Sequence, residues 1–184
     1  MLGQEGAGPT PATAAKDERE PAPVPVASVS CVPSVNGPAH LAIEVLHLDP
    51  DLNLPAYARP GDAGADLRAR NDVTIAAAGG RALVPTGIAM AIPEGYAGFV
   101  QPRSGLALRH GVTVLNSPGL IDSGYRDEIM VLLVNTDPVF PYEVHRGDRI
   151  AQLVIKAVVQ AEFVPVVQLP ASVRGLGGYG HSGR

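Results

Sequence analysis

From Leu41 onward the chain is a succession of short apolar runs broken by turn residues. The runs are "LAIEVLHL", "VTIAA", "RALVPTGIAMAI", "YAGFV", "VTVL", "EIMVLLVN", "IAQLVIKAVV" and "EFVPVV"; between them lie "PGDAG", "AAGG", "IPEG", "NSPG" and "HRGD". β-Branched residues fill the runs, and Gly, Pro, Asp and Asn supply the punctuation. No segment sustains a 3.6-residue period, so the pattern predicts an all-β domain, sandwich or barrel. The exception is "RSGLALRHG", where Ser104 is placed to cap a single helical turn. The stretch "IMVLLV" is apolar at every position, which predicts burial of both its faces. One domain supplies one core, so a partner covering the second face, and hence oligomerisation, is expected.

The two ends depart from this pattern. Residues 1–38 hold 7 of the 18 prolines and almost no bulky apolar side chains. Such a stretch cannot bury enough surface to offset its ordering entropy, and it is expected to be a disordered extension. Its "PAPVPV" also suits a polyproline II tail that binds a partner. The β domain is assigned to residues 39–170. The glycine-rich end, 171–184, contains Gly175-Leu176-Gly177-Gly178-Tyr179-Gly180, a G-x-G-x-x-G spelling. In a dinucleotide fold that loop must open a helix, and only four residues follow Gly180, so this is no Rossmann turn.

Composition narrows the function. A net charge of −4 does not suit a nucleic-acid binder. Twelve arginines accompany two lysines, which reflects either a coding bias, since Ala, Gly, Pro and Val are also abundant, or phosphate recognition by planar guanidinium groups. Cys31 is the single cysteine, so there is no disulfide framework or cysteine zinc site, and a reducing cytoplasm is expected. No run has membrane-spanning length, and the acidic N-terminus lacks the marks of a signal or transit peptide. The five histidines share no ligand spacing, and no nucleophile–base pair stands out.

Several polar residues need more than a turn to explain them. Asp62 in "PGDAGADLRA" reads as a turn former, but Asp66 stands on a strand-like run. In "QPRSGLALRHG", Arg103, Ser104 and the Gly105 amide make either an anion site at a helix start or a simple capped turn. "NSPGLIDSGYRDEI" resembles a long hairpin flanked by Val112, Val114, Ile129, Val131 and Leu133. There Asn116 and the free backbone groups can pair with a base edge, Asp122 can activate water, and Tyr125 can pack on a sugar; a tight turn with a surface acid is the plainer reading. In "HRGDRIAQLVI", Arg146 and Asp148 read as solvated turn residues. Arg149 and Gln152 lie in a run otherwise fit for burial and need a partner, a phosphate or a neighbouring subunit.

In this order, the segments resemble the five motifs of the trimeric dUTPase family: "AGADL" (63–67), "PRSGLA" (102–107), "NSPGLIDSGYRDEI" (116–129), "RGDRIAQL" (146–153) and "RGLGGYGHSG" (174–183). Any one of them is modestly specific; five in register are very specific. The resemblance spans residues 41–184. It implies a jelly-roll-like β-barrel assembled as a homotrimer with shared active sites and a mobile C-terminal arm. It also implies hydrolysis of dUTP to dUMP and pyrophosphate with Mg²⁺, which limits uracil in DNA and supplies dUMP for thymidylate synthesis.

Carried residue by residue, the resemblance makes Asp122 the base that orients and deprotonates the attacking water. Tyr125 underlies the deoxyribose and excludes a 2′-hydroxyl. Asn116 and the hairpin backbone around Gly119 to Tyr125, Ile121 included, read uracil, where a 5-methyl group would clash. Arg103, Ser104 and Gly105 contact phosphate, Gln152 reaches the α-phosphate region, and Arg149 stands nearby, at the subunit junction. Asp66 holds Mg²⁺ through its waters. Arg174, Gly180 and Ser182 wrap the outer phosphates, and Tyr179 stacks on uracil as the arm closes like a lid. Two positions depart from the family. Asp127 stands where Gly is usual, placed to pair with Arg126 but costly if φ must be positive. His181 replaces Ser or Thr and can still donate to phosphate.

Two rivals stand beside this reading. A dCTP deaminase shares the fold but needs a positioned glutamate and an altered second motif. A catalytically idle, regulatory family member is the other, against which the intact Asp122 and fifth motif speak. The N-terminal reading gives the first prediction. Deleting residues 1–38 leaves melting temperature and activity almost unchanged; a fall of several degrees in a thermal melt would show that the segment packs on the domain.

Overall fold

The computed structural model describes residues 41–173 and Gly175. The expected disordered extension, Cys31, and the arm residues Arg174, Tyr179, Gly180, His181 and Ser182 lie outside the described residues.

The apolar runs become strands, and their turn residues set the breaks. The elements are β1 (Glu44–His47), β2 (Ala65–Arg68), β3 (Val73–Ile75), β4 (Gly80–Pro85), β5 (Ile88–Ala91), β6 (Tyr96–Pro102), α1 (Ser104–His110), β7 (Val112–Val114), β8 (Gly119–Ile121), β9 (Met130–Asn135), β10 (Tyr142–Val144) and β11 (Arg149–Ala157). The single run "RALVPTGIAMAI" divides into β4 and β5 at Gly87, whose φ of +76° favours glycine. "EFVPVV" forms no strand; Phe163 and Val167 stand almost wholly in solvent. Helix α1 is the expected helical turn, but Arg103 rather than Ser104 occupies the N-cap, without a side-chain cap bond. Gly111 closes the helix in the left-handed conformation.

The fold is all-β apart from α1. Among the described residues the strands do not close into the expected barrel. They form a four-stranded sheet β2-β11-β6-β8, a three-stranded sheet β4-β9-β7, and the pairs β1-β5 and β10-β3, all antiparallel. The strands are three to nine residues long. One core serves all of them: Leu67, Ile75, Val84, Val100, Val131, Leu133, Val144 and Leu153 are buried in a single cluster. Within "IMVLLV", Val131, Leu133 and Val134 are buried, whereas Met130 remains 37% exposed, beside Leu83 at 56%. The chain's own core therefore covers most of this run and leaves its outer edge open.

A chain of charges crosses between elements. Asp49 receives the Arg146 guanidinium and lies 3.4 Å from Arg70 Nε, while Arg70 Nη1 is 3.2 Å from Glu128. Arg146 is thus no solvated turn residue: it joins segments 97 positions apart, and its backbone N–H also donates to Asp72 at 2.7 Å. Asp62 and Asp148 do act as turn formers, accepting the N–H groups of Arg59 and His145. The Arg146 hydrogen bond holds the Asp49 carboxyl down to about 2 against partial burial, with help from the nearby charge of Arg70.

This sets the acid dependence. A folded-state pKa below the unfolded value of 3.8 means the pair's stabilisation is whole above pH 4 and lost as pH falls through about 2. Asp137, held low by the Phe140 and Val139 N–H groups, weakens in the same direction. Asp49→Asn separates the two. Its melting-temperature deficit against wild type is full at neutral pH and shrinks between pH 4 and 2; a pH-independent deficit would refute the assignment.

Candidate functional site

Two groups of polar residues sit on the four-stranded sheet. The first gathers at Asp66, which β2 carries in its interior. Register places Gln152 of β11 opposite Asp66 on one side and opposite Gln101 of β6 on the other, so the three share a face. The alternate positions Leu67, Ala151, Leu153 and Val100 point into the core.

Arg149 reaches the same face through an irregularity. Between Arg149 and Ala151 the β11–β2 register shifts, so that Arg149 pairs with Arg68 while Ala151 pairs with Leu67. Regular alternation would have put Arg149 on the core face with Ala151. The bulge instead buries Ile150 and turns Arg149 toward Asp66.

Asp66 is 9% exposed and is surrounded by donors. Arg149 Nη1 donates to Oδ2 at 3.1 Å, Gln152 Nε2 approaches Oδ1 at 3.4 Å, and Arg103 Nε lies 3.4 Å from Oδ1. Arg103 also donates to the Arg149 carbonyl at 3.0 Å. Gln152, half-buried, and Arg149, whose side chain is 45% exposed rather than buried, therefore both find a partner inside their own chain, in Asp66. Arg103, Ser104 and Gly105 lie together where β6 passes into α1. Arg109, unmarked by any sequence signal, lays its guanidinium against Gly105, 2.9 Å from where a Cβ would stand. A cavity of about 440 Å³ opens beside the cluster, lined by Asn53, Tyr57, Asp66, Arg68 and Arg149. Two arginines and an amide around one carboxylate make a cationic face suited to an anion.

The second group is the segment 116–129. β7 and β9 pair antiparallel at its base, as the hairpin reading expected, but β8 leaves that pair and joins β6. Gly119 and Ile121 are buried, and the Asn116 carboxamide lies against Gly119. Asp122, directly after β8, is exposed, and its carboxylate makes no hydrogen bond or ion pair among the described residues. It lines a separate cavity of about 560 Å³ with Glu94, Tyr96, Ser123, Val158 and Gln160. Tyr125 is 39% exposed, and its hydroxyl donates to the Glu128 carbonyl at 2.8 Å.

Asp127 accepts the Glu128 N–H at 2.7 Å, and its φ is not positive, so the feared strain is absent. It does not pair with Arg126, which donates instead to the carbonyls of Ser123 and Tyr125. One chain thus brings Asp66, Arg103, Arg149 and Gln152 together, and Asn116, Gly119, Ile121, Asp122 and Tyr125 together, without joining the two sets.

No group of three His, Cys, Asp or Glu side chains suited to a metal exists among the described residues. Asp66 is the carboxylate at the centre of the cationic cluster, and two guanidinium groups already oppose a bare cation there. The donor set fits an ion that arrives with anionic ligands of its own and is held through water.

A family model described as dUTPase matches residues 51–183. The deoxyuridine 5'-triphosphate nucleotidohydrolase of Thermobifida fusca (strain YX) is 60% identical over 141 residues, 77% of this chain and 78% of that protein. The protein of the same name from Streptomyces coelicolor is 53% identical over 145 residues, 79% of each. Among solved structures, the dUTPase of Staphylococcus bacteriophage 80alpha with dUPNHPP superposes with a TM-score of 0.71 at 26% identity, covering 78% of this chain and 99% of that one. A mutant dUTPase from phage phi11 of S. aureus, described with a structural Mg(II) ion, shares the fold at 23% identity and a TM-score of 0.66, over 71% of this chain and all of that one.

Proposed function

The chain belongs to the dUTPase family, and we propose from that premise how its residues perform the reaction. It hydrolyses dUTP to dUMP and pyrophosphate. The observation that carries the mechanism is a carboxylate, Asp122, that is unengaged among the described residues and set one strand away from β6 and two from the cationic cluster on β11.

Asp122 orients a water and takes its proton while the water oxygen bonds to the α-phosphorus; the bond to the bridging oxygen breaks and pyrophosphate leaves. Arg103, Ser104, Gly105 and Gln152 bind the phosphates, with Arg149 beside them, and their donors stabilise charge as it develops. Asn116 and the backbone around Gly119 to Tyr125, Ile121 included, read uracil, and the Tyr125 ring forms the floor under the deoxyribose. Arg174, Tyr179, Gly180 and Ser182 belong to an arm that closes over the nucleotide. Mg²⁺, carried by the triphosphate and held by Asp66 through water, would neutralise phosphate charge when bound. The product dUMP serves thymidylate synthesis, and removal of dUTP limits uracil in DNA. A cytoplasmic setting suits a chain with a single cysteine.

The proposed assembly is a homotrimer in which different copies complete each site. Two features support it. Asp122 and Asp66 line different cavities of one chain. The segment beyond β11 exposes Val159, Phe163, Val164, Val167 and Leu169, an apolar ribbon left uncovered among the described residues, and Leu83 and Met130 add an open sheet edge.

Pyrophosphate release from dUTP, dTTP, dCTP and UTP at equal concentration tests the activity, with ammonia release from dCTP as the control for deamination. Asp122→Asn remains folded and binds dUTP, while turnover falls about 100-fold or more; near-normal turnover would remove Asp122 from its role.

Site sharing is tested by complementation. Asp122→Asn is mixed by co-refolding with a chain truncated after Ser172, each inactive alone. About three-quarters of randomly assembled trimers are mixed, and each contains one complete site of three, so roughly a quarter of wild-type activity returns. No recovery, with mixed trimers verified by mass, would reject an arm that serves a neighbour.

A further inference from the structure

We infer that Glu128 is a positioning residue for sugar discrimination, acting through Tyr125. The inference rests on the proposed place of Tyr125 beneath the deoxyribose and extends it to groups that do not touch substrate.

A floor excludes a 2′-hydroxyl only if it cannot give way. Tyr125 is substantially exposed, so packing alone does not fix its ring. Its tether is the hydroxyl bond to the Glu128 carbonyl, three residues on, at 2.8 Å. The ring is therefore as steady as that carbonyl, and Glu128 is held from several directions. Its carboxylate Oε1 accepts the Gly87 N–H at 2.7 Å, and Oε2 lies 3.2 Å from Arg70 Nη1. Its own N–H donates to Asp127 at 2.7 Å. The next residue is fixed as well: Ile129 N–H donates to the Ile88 carbonyl, and the Thr86 hydroxyl donates to the Ile129 carbonyl.

The clamp has a firm base. Arg70 is held by Asp49 and by the Leu48 carbonyl, and Asp49 by Arg146. Gly87 presents its N–H from a left-handed turn where a Cβ would stand 2.9 Å from Asp49 Cβ. Glu128 thus joins the substrate hairpin to the β4–β5 turn and to the end of β2. An exposed surface acid would have no such reach; this side chain is only 17% exposed.

The test compares dUTP with UTP. Glu128→Gln keeps an oxygen for the Gly87 N–H but loses the charge facing Arg70. The ratio of kcat/KM for dUTP over UTP falls about tenfold, carried by a lower KM for UTP. Tyr125→Phe, which cuts the same tether at its other end, lowers the ratio similarly. The double variant is no worse than the more affected single, because both remove one restraint. A general loss of stability would lower kcat for both nucleotides and leave the ratio in place.

An unchanged ratio in a folded Glu128→Gln protein, or effects that multiply in the double variant, would overturn the positioning role while leaving dUTP hydrolysis standing. If Glu128→Gln does not fold, Arg70→Gln, which spares the Gly87 bond, is read the same way: a fallen ratio supports the role and a constant one overturns it. A wild-type protein without dUTP hydrolysis would instead defeat the functional reading, and this inference with it.

Discussion

The site depends on one irregularity in one strand pair. Side chains alternate along a strand, so residues an odd number apart face opposite ways. Arg149 and Gln152 are three apart, yet both meet Asp66, because the bulge between Arg149 and Ala151 reverses the alternation once. Ile150 can then be buried while its neighbour carries a guanidinium outward. Without the bulge, either Arg149 would enter the core or β11 would slip by one residue. A slip would move Leu153 out and Gln152 in, at the cost of burying an amide among Leu67 and Val100. Core packing thus locks the register, and the register holds the cluster.

The same reasoning separates what the sequence reveals from what it conceals. Long alternating or β-branched runs such as "YAGFV" and "EIMVLLVN" are legible because burial imposes their pattern. β2, β8 and β10 are only three or four residues long, too short for a period to show. Asp66, Arg103 and Gln152 announce themselves as polar residues in places where burial or a helix start needs an explanation. The Arg149 bulge is silent, since no glycine or proline marks it. Arg70, Glu128 and Arg146 are silent for another reason: their partners lie 58 and 97 positions away, and charged residues near turns look solvated until the fold brings them together. Asn135 is similar, a fully buried amide at the end of β9 that donates to the Ile75 and Phe140 carbonyls, partners the local pattern does not reveal.

The charge chain from Glu128 through Arg70 and Asp49 to Arg146 adds little as isolated surface pairs, which typically contribute about 0–1 kcal/mol each. Its value is geometric. It ties the ends of β1 and β2 to the turn before β11 and to the segment that follows the substrate hairpin. These are irregular places that no ladder of strand hydrogen bonds can fix. The sheets hold Asp66 and Gln152 by register, whereas Asp122 and Tyr125 stand on loop backbone and need anchors of another kind.

On the proposed mechanism, the division into two half-sites has an electrostatic reason. A general base must keep a free lone pair for the proton it will take. Asp66 is nearly enclosed by guanidinium groups and could not serve; Asp122 has no cation against it among the described residues. Placing the base on one hairpin and the phosphate donors on another face keeps the two charges from neutralising each other before substrate arrives. The nucleotide then bridges them, with its phosphates on the cationic face and its α-phosphorus presented to the base. A single chain that put both in one pocket would pair Asp122 with Arg103 or Arg149. On the proposed assembly, the base comes from one copy's loop and the phosphate donors from another copy's sheet, and it is the nucleotide that joins them.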